Sequence, residues 1–143
     1  MRVCGIELKG GEAILCLLNL DDGIFNVAEC RQRQYTVAAS ASTDSIREFH
    51  FSFSKLMQDY QIDEVVIIER HQKGKLAASA TSFKLEAAIQ LIEQPVTLIT
   101  TATIKEQLKL NPLQVEAVEL GLKKFQITAF TAAYAYQHQQ AAL

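Results

Sequence analysis

Apolar residues fall along the chain in two textures. Through residue 37 they come in short runs separated by glycine-containing turns, and from residue 43 onward they recur at helical spacing between brief β-branched runs. Residues 3–8 make a first apolar run, closed by the tight-turn signal Lys9-Gly10-Gly11-Glu12. Residues 13–20 (AILCLLNL) make a second, and Asp21-Asp22-Gly23 is the next turn, with a glycine available for a positive φ. Residues 24–30 and 34–37 predict a third strand with an irregularity near Arg31. Three strands joined by short turns predict an antiparallel meander.

The second texture opens on Ser42-Thr43-Asp44-Ser45, which supplies several N-cap candidates. Residues 47–60 then predict a helix, with Phe49, Phe53, Leu56 and Met57 on one apolar face, a core stripe. Residues 62–68 are rich in β-branched side chains, as a strand covered on both faces requires, and the run ends in Glu69. After a polar loop at 70–75, residues 76–93 predict a long helix stopped by Pro95, and residues 96–100 a fifth strand. Helices are predicted at 103–110, at 113–125 with an interruption near Gly121, and at 127–140. Strands four and five follow crossover helices and should lie parallel to strand one. The expectation is one α/β domain over 1–143, built on a five-stranded mixed sheet covered by helices.

Two positions in this layout carry candidate chemistry. Glu7 and Glu69 each end an apolar strand, where a carboxylate is costly to bury unless a metal, a hydrogen bond or water satisfies it. With the two strands side by side, both side chains would reach the C-terminal rim of the sheet, where open α/β sheets bind ligands. Paired carboxylates there suit Mg²⁺ or Mn²⁺. The competing account is that each glutamate simply marks the solvent end of its strand. Arg70, His71, Lys73 and Lys75 form the one dense basic cluster, which reads either as a solvated loop or as a phosphate-contacting loop beside that rim. Lys123-Lys124 reads as a complement to a helix dipole. No aromatic residue alternates with these basics, which argues against a stacking platform for single strands.

The segment Gly5-Ile6-Glu7-Leu8-Lys9-Gly10-Gly11 resembles the opening strand of RuvC-type nucleases, which carries that family's first metal-binding acid. Ile67-Ile68-Glu69-Arg70, a polar loop and an alanine-rich helix resemble its second acid and the helix that follows. Ile104-Lys105-Glu106-Gln107-Leu108 resembles the short helix after the fifth strand. Thr128-Ala129-Phe130-Thr131-Ala132-Ala133-Tyr134-Ala135 resembles the closing helix, where the family reads Asp-x-x-Asp-Ala-x-Ala. The resemblance covers nearly the whole chain in element order and implies a ribonuclease H-like fold. It also implies nucleic acid as partner, a divalent-metal-dependent phosphodiesterase as ancestral activity, and a homodimer. Glu7 and Glu69 would be the catalytic and metal-holding residues, and Arg70, Lys73 and Lys75 the substrate contacts. Thr128 and Thr131 stand where the last two acids belong, and a hydroxyl is a poor substitute for a carboxylate at a divalent cation. Glu116 and Glu119 could compensate but read more simply as a solvated helix face. The expectation is a degenerate site, with a weak nuclease or nucleic-acid-binding module set against an inactive interaction domain that kept the fold.

Composition narrows this picture in a few places. A formal net charge of -2 lacks the basic footprint of a general nucleic-acid binder, so any such contact must rest on a local patch. Cys4, Cys16 and Cys30, odd in number and without a C-x-x-C, read as core packing rather than as disulfides or zinc ligands. No G-x-S-x-G, G-x-x-x-x-G-K-[ST] or G-x-G-x-x-G occurs, so no nucleotide or organic cofactor is indicated. The absence of a long apolar stretch and of a signal-like N-terminus predicts no membrane partner and a cytoplasmic location. His138, near the chain end, is expected to be exposed. The alanines of the 76–93 helix and Ala132, Ala133 and Ala135 permit close helix approach, within the domain or between subunits.

Overall fold

The computed structural model describes residues 1–38, 41–74 and 77–143. The sheet is laid down first by a hairpin of β1 (Arg2–Lys9) and β2 (Glu12–Asp21), paired antiparallel from Arg2 opposite Asn19 to Lys9 opposite Glu12. Gly10, at φ 54°, makes the turn that the Gly-Gly pair predicts. The expected third strand is present as two pieces on the outer edge of β2: β3 (Ile24–Val27) and β4 (Gln34–Thr36). The break falls around Arg31, where the irregularity is predicted. β5 (Glu64–Ile68) runs parallel to β1 on its other side, and β6 (Val96–Ile99) runs parallel to β5. The order β3-β2-β1-β5-β6 is the mixed sheet expected from the alternation of apolar runs, with β4 sharing the β2 edge.

Side-chain alternation along the strands gives two cores. On one face Cys4, Ile6, Leu8, Leu15, Leu17, Val65 and Ile67 pack beneath α1 (Thr43–Asp59) and α2 (Ala80–Gln90). Phe49, Phe53, Leu56 and Met57 of α1 are all buried there, as their spacing predicts. Phe53 is fully buried, and such a side chain contributes about 1.5–3 kcal/mol relative to exposure. On the other face Val3, Cys16, Leu18, Val66 and Ile68 pack against α3 (Thr101–Leu110) and α4 (Ile127–Ala141). Cys4 and Cys16 are buried and Cys30 half-buried, all three free thiols, so the cysteines serve packing. Among the described residues no helix is long and apolar enough to cross a membrane.

Several boundaries differ from the sequence-based expectation. α1 begins earlier than residue 47 because the Ser42 hydroxyl accepts the Ser45 N–H and caps it. α2 starts at Ala80 rather than near residue 76, since Ser79 takes the cap position and accepts the Ser82 N–H. It ends at Gln90, where the Leu91 N–H turns back to the Ala88 carbonyl in a tightened last turn. The helix predicted over 113–125 does not form. In its place stand two 3-10 turns, Ala117–Leu120 and Lys124–Gln126, separated by Gly121 at φ 78°. Leu113, Val115 and Val118 are 37, 40 and 79% exposed, so their apolar spacing has no core to face.

A close backbone approach between β1 and α4 sets the position of that helix. A Cβ built on Gly5 would overlap the Ala129 carbonyl oxygen and stand 2.9 Å from the Ala133 amide nitrogen. Only glycine lets the helix rest on β1 at that point. Ala129, Ala132, Ala133 and Ala135 are all fully buried inside the chain, so the small residues of α4 serve intramolecular packing rather than a subunit contact.

Candidate metal and nucleic-acid site

Every helix that follows a parallel strand returns antiparallel to it, and the helix N-termini therefore collect at the C-terminal rim of the sheet. α3 begins two residues after β6 ends, with the Thr100 hydroxyl accepting the Thr103 N–H at 3.1 Å. The N-cap of α2 reaches the turn after β1, where the Ser79 hydroxyl donates to the Gly10 carbonyl at 3.3 Å. The start of α4 is tied to β2: Gln126, just ahead of the helix, donates from Nε2 to the Leu15 carbonyl at 2.9 Å. Leu15 lies opposite Ile6 in the hairpin register. The other end of α4 is held by Gln137, whose Nε2 donates to the Leu18 carbonyl at 2.8 Å. Three helix N-termini thus add their partial positive charge to one edge.

Glu7 stands on that edge. Val3 and Gly5 face α4, so alternation puts Glu7 on the same face, one step further toward the first turn of the helix. It is half-buried, and burial pushes its carboxyl above the ordinary glutamate range, with Lys9 opposing weakly. Glu69 follows β5, and its N–H donates to the Ile99 carbonyl at 2.8 Å. Gly5 pairs with Val66 and Ile6 with Ile67. Continuing that ladder sets Glu7 beside Ile68, so Glu69 lies one residue beyond and is exposed. The two glutamates share the rim one register step apart, and the alternation that puts Glu7 with Val66 and Ile68 on the α4 side puts Glu69 with Val65 and Ile67 on the other.

The remaining candidates are distributed differently. Arg70 is not free in a loop: its Nη2 pairs with Glu86 Oε1 of α2 at 2.6 Å, both side chains almost covered, and its guanidinium lies 4.5 Å from the Phe83 ring centroid. Its Nε and Nη1 are buried without a partner among the described residues. His71 and Lys73 are exposed, whereas Lys75 lies outside the described residues. Thr128 is exposed at the start of α4, and the Thr131 hydroxyl donates to the Thr128 carbonyl at 2.7 Å, so it is committed within the helix. Glu116 and Glu119 are exposed on the turn segment, away from any helix face. Among the described residues no group of three His, Cys, Asp or Glu side chains is placed to hold a metal.

His138 corrects an expectation. It is half-buried rather than exposed, its ring 4.4 Å from that of Tyr134, and burial lowers its pKa. Gln126 and Gln137 have no sequence signal of their own. An isolated glutamine in an apolar stretch looks like a surface residue until the strand carbonyl beneath it is known.

No curated relative matches the chain in sequence. Among solved structures it is similar to Thermus thermophilus RuvC, at TM-score 0.77 and 13% identity over 99% of this chain and 96% of that one. The same protein in complex with Holliday junction substrate gives TM-score 0.77 at 12% identity, with the same coverage. Fowlpox virus resolvase, in complex with Holliday junction DNA, gives TM-score 0.52 at 11% identity over 98% and 99% of the two chains. At these identities the likeness shows the fold, and the fold is RuvC-like, of the ribonuclease H class. A family model described as protein of unknown function DUF3010 matches residues 1–136, so the chain belongs to that family.

Proposed function

We propose that this chain is a nucleic-acid-binding module of RuvC-like fold that takes a phosphate backbone along the C-terminal rim of its sheet. The observation that carries this reading is the convergence of three helix N-termini and the half-buried Glu7 on that edge. The similar structures solved with Holliday junction DNA support it. Lys73 on the neighbouring loop would add phosphate contacts, as would Lys75. Arg70, paired with Glu86, serves chiefly to hold that loop against α2.

Glu7 offers one carboxylate on the α4 side of the rim, enough for a single hydrated Mg²⁺ or Mn²⁺ and not for two. Magnesium is commonly held by one or two carboxylates together with water and substrate phosphate; Glu7 would supply the first carboxylate, and Glu69 would join it by reaching over the strand end. A second ion lacks ligands, because Thr131 is hydrogen-bonded within its own helix and neither threonine brings charge. Such an ion would supply Lewis-acid polarisation of a phosphate oxygen. The chain's own part is to place the carboxylates and to attract the anion. Without the second ion, hydrolysis is expected to be weak at most.

Calorimetric titration with Mn²⁺, run beside Glu7→Gln, tests the site. Binding that vanishes in the variant, together with divalent-dependent cleavage of branched DNA, supports the reading. Cleavage that survives unchanged in Glu7→Gln refutes it. The shortage of metal ligands among the described residues also favours a second reading, an inactive interaction domain that retained the fold. That reading requires neither Mn²⁺ binding nor nucleic-acid affinity. A homodimer belongs to both readings, and light scattering at several concentrations tests it.

A further inference from the structure

We propose that Lys123-Lys124-Phe125 is a wedge that stacks on an unpaired nucleobase at the rim of the sheet. The proposal rests on the nucleic-acid reading above and adds the structural feature of the substrate that the site selects.

In sequence these residues look like a helix end, and without alternating aromatics they argue against a stacking platform; a single Phe125 directly after two lysines is the feature that pattern overlooks. The structure places them instead on a short turn immediately ahead of α4. The turn is held from both sides by Gln126, which is 4% exposed. The Gln126 Nε2 donates to the Leu15 carbonyl at 2.9 Å, and its Oε1 accepts the Lys123 N–H at 3.0 Å. That anchor lies on β2, one residue from the position opposite Glu7 in the register, where Glu7 pairs with Ile14. The wedge therefore stands over the same end of the sheet as the candidate carboxylate.

With Gln126 pointing into the sheet, Phe125 turns away from it. Phe125 is 43% exposed and, among the described residues, belongs to neither core and makes no ring contact with the other aromatics. Lys123 and Lys124 are exposed and enter no ion pair among the described residues. An aromatic on an anchored turn, beside two lysines that enter no ion pair among the described residues, matches a base flanked by its own phosphates: the ring face takes the base and the ammonium groups take the backbone. A fully paired duplex keeps its bases stacked on each other and offers the ring nothing, so the preference is for nucleic acid with an unpaired base.

The test compares a short DNA duplex carrying a bulged 2-aminopurine with the fully paired duplex, for wild type, Phe125→Leu and Lys123→Gln/Lys124→Gln. Wild type should bind the bulged duplex more tightly and quench the probe. Phe125→Leu should weaken bulged binding about 5- to 100-fold and abolish quenching, leaving paired binding unchanged. The double lysine variant should weaken both and reduce the salt dependence of log K by about 1 to 2. It leaves the backbone anchor at Gln126 intact. Equal binding of both duplexes by wild type, or unchanged quenching in Phe125→Leu, overturns the wedge and leaves rim binding standing. Failure of wild type to bind either duplex overturns both.

Discussion

Replacing Gly5 with alanine would drive a methyl group into the seam between β1 and α4. The new Cβ would overlap the Ala129 carbonyl oxygen and meet Ala133 at 2.9 Å on its nitrogen and 3.0 Å on its Cβ. These are mostly backbone atoms in the middle of a helix, so no rotamer change relieves them and α4 must lift by on the order of 1 Å. Lifting strains the hydrogen bonds of Gln126 and Gln137 to the β2 carbonyls at either end of the same helix. Overpacking typically costs about 1–3 kcal/mol, and contact with main chain places this case at about 3. For a chain of this size that corresponds to a fall in Tm of roughly 10 °C. Urea unfolding followed by circular dichroism measures it. Gly10→Ala is the control: nothing lies within 4 Å of a Cβ there, so only the positive φ is penalised, by about 1–2 kcal/mol. A Gly5→Ala variant within 0.5 kcal/mol of wild type would refute the packing argument, by the usual threshold for neutral substitutions of about that size. It would also remove the reason for placing the first turn of α4 beside Glu7.

Burial raises the Glu7 pKa in the folded state, so the stability linked to its proton is present below the unfolded value and is lost as pH rises through the folded one. Glu7→Gln should therefore unfold at higher urea than wild type at pH 7, with the gain shrinking toward about pH 4; a variant less stable than wild type at pH 7 contradicts this. Gln126→Met leaves the Leu15 carbonyl and the Lys123 N–H without their partner and should cost about 1–3 kcal/mol, measured by urea denaturation; a neutral result would show that the anchor contributes nothing. Burial pushes the Cys16 thiol up to about 12 and raises Cys4 as well, so both should resist alkylation in the native protein and react on unfolding. Mass spectrometry after a short iodoacetamide pulse would detect early labelling of either, which would speak against their burial.

Long-period features were legible in the sequence. The apolar stripe of α1, the Gly-Gly hairpin, the β-branched run of β5 and the order of crossovers depend on local periodicity, and their place in the fold follows from it. The 113–125 segment shows the limit. Its apolar spacing is helical, yet Gly121 turns the chain and no core lies beneath Leu113, Val115 or Val118. Periodicity states which residues could share a face without stating that a partner face exists. The same holds for the alanines of α4, which read equally as an interface or as interior until Gly5 is found beneath them.

At the candidate site the sequence by itself determined the types and order of the groups: two strand-ending glutamates, a basic loop and two threonines early in the last helix. Chain order and strand period are local properties, and these followed from them. Only the tertiary structure decided the rest. It set Glu7 and Glu69 one register step apart, turned Arg70 from the loop onto Glu86, and brought three helix starts to one rim. It also carried the Lys123-Lys124-Phe125 turn to within a residue of Glu7's partner in β2 through a glutamine more than a hundred positions away from the strand it binds. Those placements depend on contacts between segments distant in sequence, and no local pattern encodes where a side chain finds its partner.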